Sequence, residues 1–164
     1  MRFLLIFILL FSSALAGPVK NIGEKGEETE VKRIIEVVIN DNFFQPNIFN
    51  VKKNETVKFI LKNKGELVHE FNIATKRMHL NHQKEMERMV ENEILLADKI
   101  DKEKMKKLAK TDHAMAHSHS NSVLLEPGET KVLIWKFNNQ QKVEAACNVP
   151  GHYEVGMIAK INDI

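Results

Sequence analysis

Residues 56–63, TVKFILKN, place Val57, Phe59 and Leu61 on one side of an extended chain and Lys58 and Lys62 on the other. Strand side chains alternate between faces, so a period of two commits this segment to a sheet with one buried face. Similar signals recur along the chain. Residues 31–39 (VKRIIEVVI) are rich in β-branched side chains, and 67–73 (LVHEFNI) form another apolar run. Residues 41–51 carry Pro46 among apolar neighbours, which restricts them to an edge strand or an irregular crossing. After the turn dipeptide Pro127-Gly128, Leu133, Trp135 and Phe137 share one face, with Val132 and Ile134 opposite. Residues 142–149 and 157–163 supply the last apolar runs. Many short strands with turns between them predict an all-β sandwich.

The pattern breaks over residues 75–120, where Lys, Glu, Met and His replace the β-branched runs. Residues 81–100 contain good helix formers and neither Gly nor Pro, and 101–110 suit a second short helix with Asp101 as N-cap. Residues 111–122 have loop chemistry. A helical insertion between two halves of the sandwich is therefore expected. At the N-terminus, Arg2 precedes an apolar run from Phe3 to Phe11, followed by Ala14 and Ala16 in an A-x-A arrangement. This predicts a signal peptide over 1–16, cleaved after Ala16. The apolar run is shorter than the roughly 20 residues needed to span a bilayer, and no later segment would cross one. Polar residues 17–30, with three glycines, read as a flexible leader, which leaves 31–164 as one domain. The formal charge of +2 and the absence of a basic patch exclude a nucleic-acid partner.

Export makes Cys147, the only cysteine, conspicuous. Exported thiols usually pair, and a lone one cannot pair within its own chain. It could bridge to another chain, lie buried and inert, or bind a metal. Its surroundings, CNVPGHYEVGM, hold His152 and Met157 in a C-x4-H-x4-M pattern. Thiolate, thioether and imidazole together suit copper, and a His₂Cys site with a weak axial Met is a blue-copper electron-transfer arrangement. One more histidine is required, and His69 in GELVHEF is the candidate.

With these residues the chain resembles the cupredoxins, the blue copper family that includes plastocyanin, azurin and rusticyanin; the loop spacing is like that of rusticyanin. The resemblance covers roughly 31–74 and 121–164 and implies a Greek-key β-sandwich with His69, Cys147, His152 and Met157 as copper ligands. It also implies a surface-reaching His152 edge in an apolar patch of Val149, Pro150 and Tyr153. Two positions depart from the family pattern. Glu70 stands where many members have an Asn that ties two loops together, and Val68 stands where azurin has a Gly.

The resemblance implies one-electron transfer through Cu(I)/Cu(II), with a cytochrome or oxidase as partner. With all coordination positions filled, no enzyme activity is expected. Multicopper oxidases need several His-x-His motifs, and 117–119 is the one here; a dinuclear oxidase site needs two cysteines. The insertion raises an alternative. It holds five of the seven methionines and five of the seven histidines. His-rich tracts bind metal, and thioether with imidazole suits copper. The candidate secondary copper ligands are Met78, His79, His82, Met86, Met89, His113, Met115, His117 and His119. The alternative is thus a periplasmic copper-tolerance protein working with other copper-handling proteins.

Overall fold

The computed structural model describes residues 21–138 and 141–164, so the expected signal peptide and the first part of the leader lie outside the described residues. In chain order the strands are β1 (Glu24–Lys25), β2 (Arg33–Asn40), β3 (Phe43–Gln45), β4 (Ile48–Val51), β5 (Glu55–Asn63), β6 (His69–Ala74), β7 (Ser122–Leu125), β8 (Thr130–Phe137), β9 (Glu144–Ala146) and β10 (Ile158–Asp163). One sheet runs β1-β8-β5-β2-β3 and the other β4-β10-β9-β6-β7. β2 pairs with β5 and β4 with β10 in parallel. The remaining pairs are antiparallel, so the chain crosses repeatedly between the sheets of a β-sandwich. Pro46 lies between β3 and β4, each at the edge of a different sheet. That is where a residue lacking an N–H is tolerated.

Alternation delivers the core. Val57, Phe59 and Leu61 of β5 and Leu133, Trp135 and Phe137 of β8 are buried, and their lysine neighbours are not. Phe59 packs against Phe49, Phe71 and Phe137 with ring centroids 5.4–6.2 Å apart. Such aromatic contacts add to simple area burial.

The described part of the leader, residues 21–30, packs against the sandwich. Ile22 is buried, the Trp135 indole N–H donates to its carbonyl at 3.1 Å, and β1 pairs with β8. Gly23 is present for contact rather than mobility: a Cβ there would strike the Trp135 indole nitrogen and the Lys136 carbonyl.

The insertion fills the interval between β6 and β7. It consists of α1 (Lys76–Glu91), α2 (Lys102–Leu108) and a 3₁₀ turn (His113–Ala116). α1 begins and ends earlier than the sequence suggests. Thr75 caps it by accepting the Met78 N–H, and Glu93 takes a left-handed φ of 53° just past its end. Asp101 caps α2 as expected, accepting the Lys104 N–H at 2.8 Å. Met86, Met89, Ile94, Leu95, Ile100 and Met115 form a second apolar cluster with Val68 and Leu124 of the sandwich. The insertion therefore covers one face of the second sheet, and every residue of β6 is buried. Phe71 and Ile73 face the main core. The alternate residues Glu70, Asn72 and Ala74 lie on the strand's other side.

Candidate metal centre

The 147–157 loop leaves β9 and returns as β10. The Cys147 N–H donates to the Met157 carbonyl and the Met157 N–H to the His152 carbonyl, at 3.2 and 3.0 Å. The loop turns at Gly151 and Gly156, whose φ values of 89° and 88° suit a residue without a Cβ. This closure brings the Cys147 Sγ within 3.3 Å of His152 Nδ1. His69, at the start of β6, brings its own Nδ1 to 3.9 Å from the same sulfur. Met157 is fully buried in the same cluster as Cys147. His69, Cys147 and His152 each offer a donor atom within 4.8 Å of the others.

Burial pushes the Cys147 thiol up to about 12, so it stays protonated and shielded from oxidation until a metal displaces its proton. Burial also lowers the His69 and His152 imidazoles, leaving them neutral and ready to coordinate.

Asp41 is a supporting residue that sequence reasoning missed. Its Oδ1 lies 2.9 Å from His69 Nε2, the ring nitrogen turned away from the thiol. It also accepts the Glu66 and Leu67 N–H groups, and the Glu66 bond foremost holds its carboxyl below the usual range. A carboxylate on the distal nitrogen fixes the ring and raises its basicity as a ligand. Replacing Asp41 with Ala is expected to weaken copper binding about 10- to 100-fold. Competition against a chromophoric chelator measures this; an affinity unchanged within about twofold would remove Asp41 from that role.

Glu70 replaces the family's loop-tying Asn. It is fully buried, and its backbone N–H donates to Cys147 Sγ at 3.2 Å. Its carboxylate accepts the Asn148 N–H at 3.2 Å and the Asn148 side-chain amide at 2.7 Å, so the strut survives in another chemistry. The same carboxylate accepts from Ser122, His82 and His117. Burial disfavours its charge, but the two imidazoles outweigh that and hold its carboxyl well below the ordinary range.

The insertion residues separate into groups. Met86, Met89 and Met115 are packed in the second apolar cluster, where the spacing of Met86 and Met89 along α1 serves apolar packing. His79 is buried beside Tyr153 and faces Asn148 Nδ2 and the Glu144 carbonyl, so it supports the ligand loop. His113 is exposed and joins neither group of ligating side chains. Met78 is partly buried and lines a cleft with His82 and His119. His82, His117 and His119 converge with Glu85, which the sequence did not single out. The apolar patch also differs from expectation. Val149, Pro150 and His152 line a cleft with Leu67 and with Val90 and Leu96 of the insertion. Tyr153 instead donates to Glu144 at 2.7 Å.

The two packed sheets and the buried thiol flanked by imidazoles define a cupredoxin-like protein. The chain belongs to this family: the model of the cupredoxin-like domain matches residues 2–100. A protein of Pseudomonas aeruginosa named copper-resistant cuproprotein CopI is 39% identical, covering 94% of this chain and 90% of its own. A Vibrio cholerae protein of the same name is 28% identical over 86% of this chain and 71% of its own. Among solved structures, auracyanin B aligns with a TM-score of 0.60 and 13% identity, over 87% of this chain and 96% of its own, which speaks to the fold. The donor set suits copper. Together with family membership it identifies copper as the cofactor, and His69, Cys147 and His152 are the candidate donors that the structure gathers, with Met157 buried in the same core.

Proposed function

We propose that this chain is an exported copper-handling protein that confers copper tolerance, with one copper held by His69, Cys147, His152 and Met157. The observation that carries the copper site is the Cys147 sulfur set between two imidazole nitrogens at 3.3 and 3.9 Å. The tolerance reading rests on similarity to proteins named copper-resistant cuproproteins along most of the chain. Export to the periplasm is part of the proposal and rests on the sequence of residues 1–16. Among the described residues, no helix is long and apolar enough to cross a membrane. Copper held in a geometry between the preferences of its two oxidation states can gain or lose an electron with little movement of its ligands. The reading is non-enzymatic, with other copper-handling proteins as partners.

A second reading, one-electron transfer to a cytochrome or oxidase, is favoured by the apolar cleft beside His152. Such a surface lets a partner approach the imidazole edge without having to strip charged groups of water. The two readings separate in a copper-sensitive bacterial host expressing the full chain with its signal. Wild type is expected to extend growth to higher copper concentrations, and the Cys147→Ser variant, exported to the same level, to lose most of that benefit. Equal growth with and without the chain would reject the tolerance reading. Fast electron exchange with a partner cytochrome, in the absence of any growth benefit, would support the electron carrier.

A further inference from the structure

His82, Glu85, His117 and His119 each present a donor atom within 4.8 Å of the others. Their convergence is built from separate parts of the insertion. His82 and Glu85 are one turn apart on α1, with His82 Nδ1 3.5 Å from Glu85 Oε2. His117 and His119 follow the 3₁₀ turn, two residues apart. His117 takes a left-handed φ of 44°, a costly conformation for a residue with a Cβ. The three rings lie 5.0–5.2 Å apart, centroid to centroid. His119 Nε2 lies 2.8 Å from Glu85 Oε1, while the Nε2 atoms of His82 and His117 lie 3.3 Å apart and both meet one oxygen of Glu70. Crowding three imidazoles around two carboxylates is a poor way to fill a core. It places imidazole and carboxylate donors as a divalent ion needs them. A cleft lined by Asn72, Met78, Asn81 and Asn121 beside His82, Glu85 and His119 offers entry.

We propose that His82, Glu85, His117 and His119 form a second metal site, for divalent copper, joined to the Cys147 site through Glu70. Imidazole and carboxylate donors suit divalent first-row metals, and copper binds most tightly among them. The thioethers of Met86, Met89 and Met115 are packed in the apolar cluster, which leaves Met78 as the one thioether lining the cleft beside a cluster of imidazole and carboxylate donors. The link runs through one residue, with a hydrogen bond at each end. The Glu70 backbone N–H donates to the Cys147 sulfur, and its carboxylate accepts from His82 and His117. A metal that takes those imidazoles releases the carboxylate from two hydrogen bonds and alters the setting of the sulfur. The inference stands on the cluster's geometry and is independent of the copper-tolerance reading.

The test is titration of the mature chain with Cu(II) alone, followed by visible absorption and electron paramagnetic resonance. Two equivalents are expected to bind. One gives the thiolate charge-transfer band; the other gives a signal with the wide hyperfine splitting of nitrogen and oxygen ligation. Filling the second site should shift the thiolate band of the first. His119→Ala and Glu85→Gln leave the contacts of Glu70 intact, and a preserved thiolate band reports that they fold. Each is expected to weaken the second equivalent by about tenfold or more. Binding of a single equivalent by wild type, or a second equivalent unchanged in both variants, overturns the site. A second equivalent that leaves the thiolate band unmoved overturns the link through Glu70.

Discussion

Replacing Cys147 with Ser is expected to remove essentially all of the intense visible absorption of the Cu(II) form. That absorption arises from charge transfer between thiolate sulfur and copper, and a serine oxygen is too hard a donor to supply it at visible energies. The substitution is nearly isosteric at a buried position, and a hydroxyl can still accept the Glu70 N–H that now reaches the sulfur. The fold should therefore survive, and loss of colour reports on the ligand rather than on unfolding. Far-ultraviolet circular dichroism of the same sample serves as the control. A variant that folds and keeps the band would exclude Cys147 from the copper site. The companion change, Met157→Leu, should retain the colour while raising the reduction potential, because the axial ligand tunes it.

The second large effect is expected at Glu70. Changing it to Ala strips the acceptor from both Asn148 N–H groups, from Ser122, and from His82 and His117, all in a buried setting. Removing one partner from a buried charged network costs about 3–5 kcal/mol. In a domain of this size that corresponds to a fall in Tm of roughly 10 °C for the metal-free chain. Glu70→Gln, which keeps one acceptor oxygen and the side-chain volume, should lose less.

The same network sets a pH dependence. Burial opposes the charge on His82, but the carboxylates of Glu70 and Glu85 prevail and raise it from 6.5 to about 9. Its contribution to stability is fully present below 6.5 and is lost as pH rises through about 9. The Glu70 contribution is present above about 4.5 and lost only in strong acid. Metal-free wild type should thus lose stability between 6.5 and 9, and Glu70→Ala should reduce that slope, leaving the part that Glu85 sustains. A Glu70→Ala protein within about 1 kcal/mol of wild type, with the slope intact, would show that the carboxylate holds nothing together.

The candidate donors of the metal centre were legible because most of their information is local. Cys147, His152 and Met157 sit on one loop, and the order of donor types already implies a metal. Strands β5 and β8 were legible through their period of two, and Asp101 through helix-cap chemistry. Glu70 was visible only as a departure, because apart from Asn72 its partners are 12, 47, 52 and 78 residues away in the chain. Asp41 lies 28 residues from His69, with no periodicity connecting them. The methionines of α1 show where periodicity falls short: a stripe on one helix face looks the same whether it packs a core or holds an ion. Gly23 was read as part of a flexible leader because its neighbour Trp135 is remote in sequence.

His69 and Glu70 are consecutive on β6, and their side chains serve opposite faces of the strand. Residue 70 therefore serves both sides at once: its backbone N–H, which any residue but proline supplies, meets the Cys147 sulfur, while its carboxylate gathers the insertion's imidazoles. A lineage with an amide at 70 would keep the loop strut but lose the charged acceptor that positions 82 and 117 share. Among homologues, acid at 70 and histidine at 82 and 117 should be inherited or discarded together, whatever else in the insertion drifts.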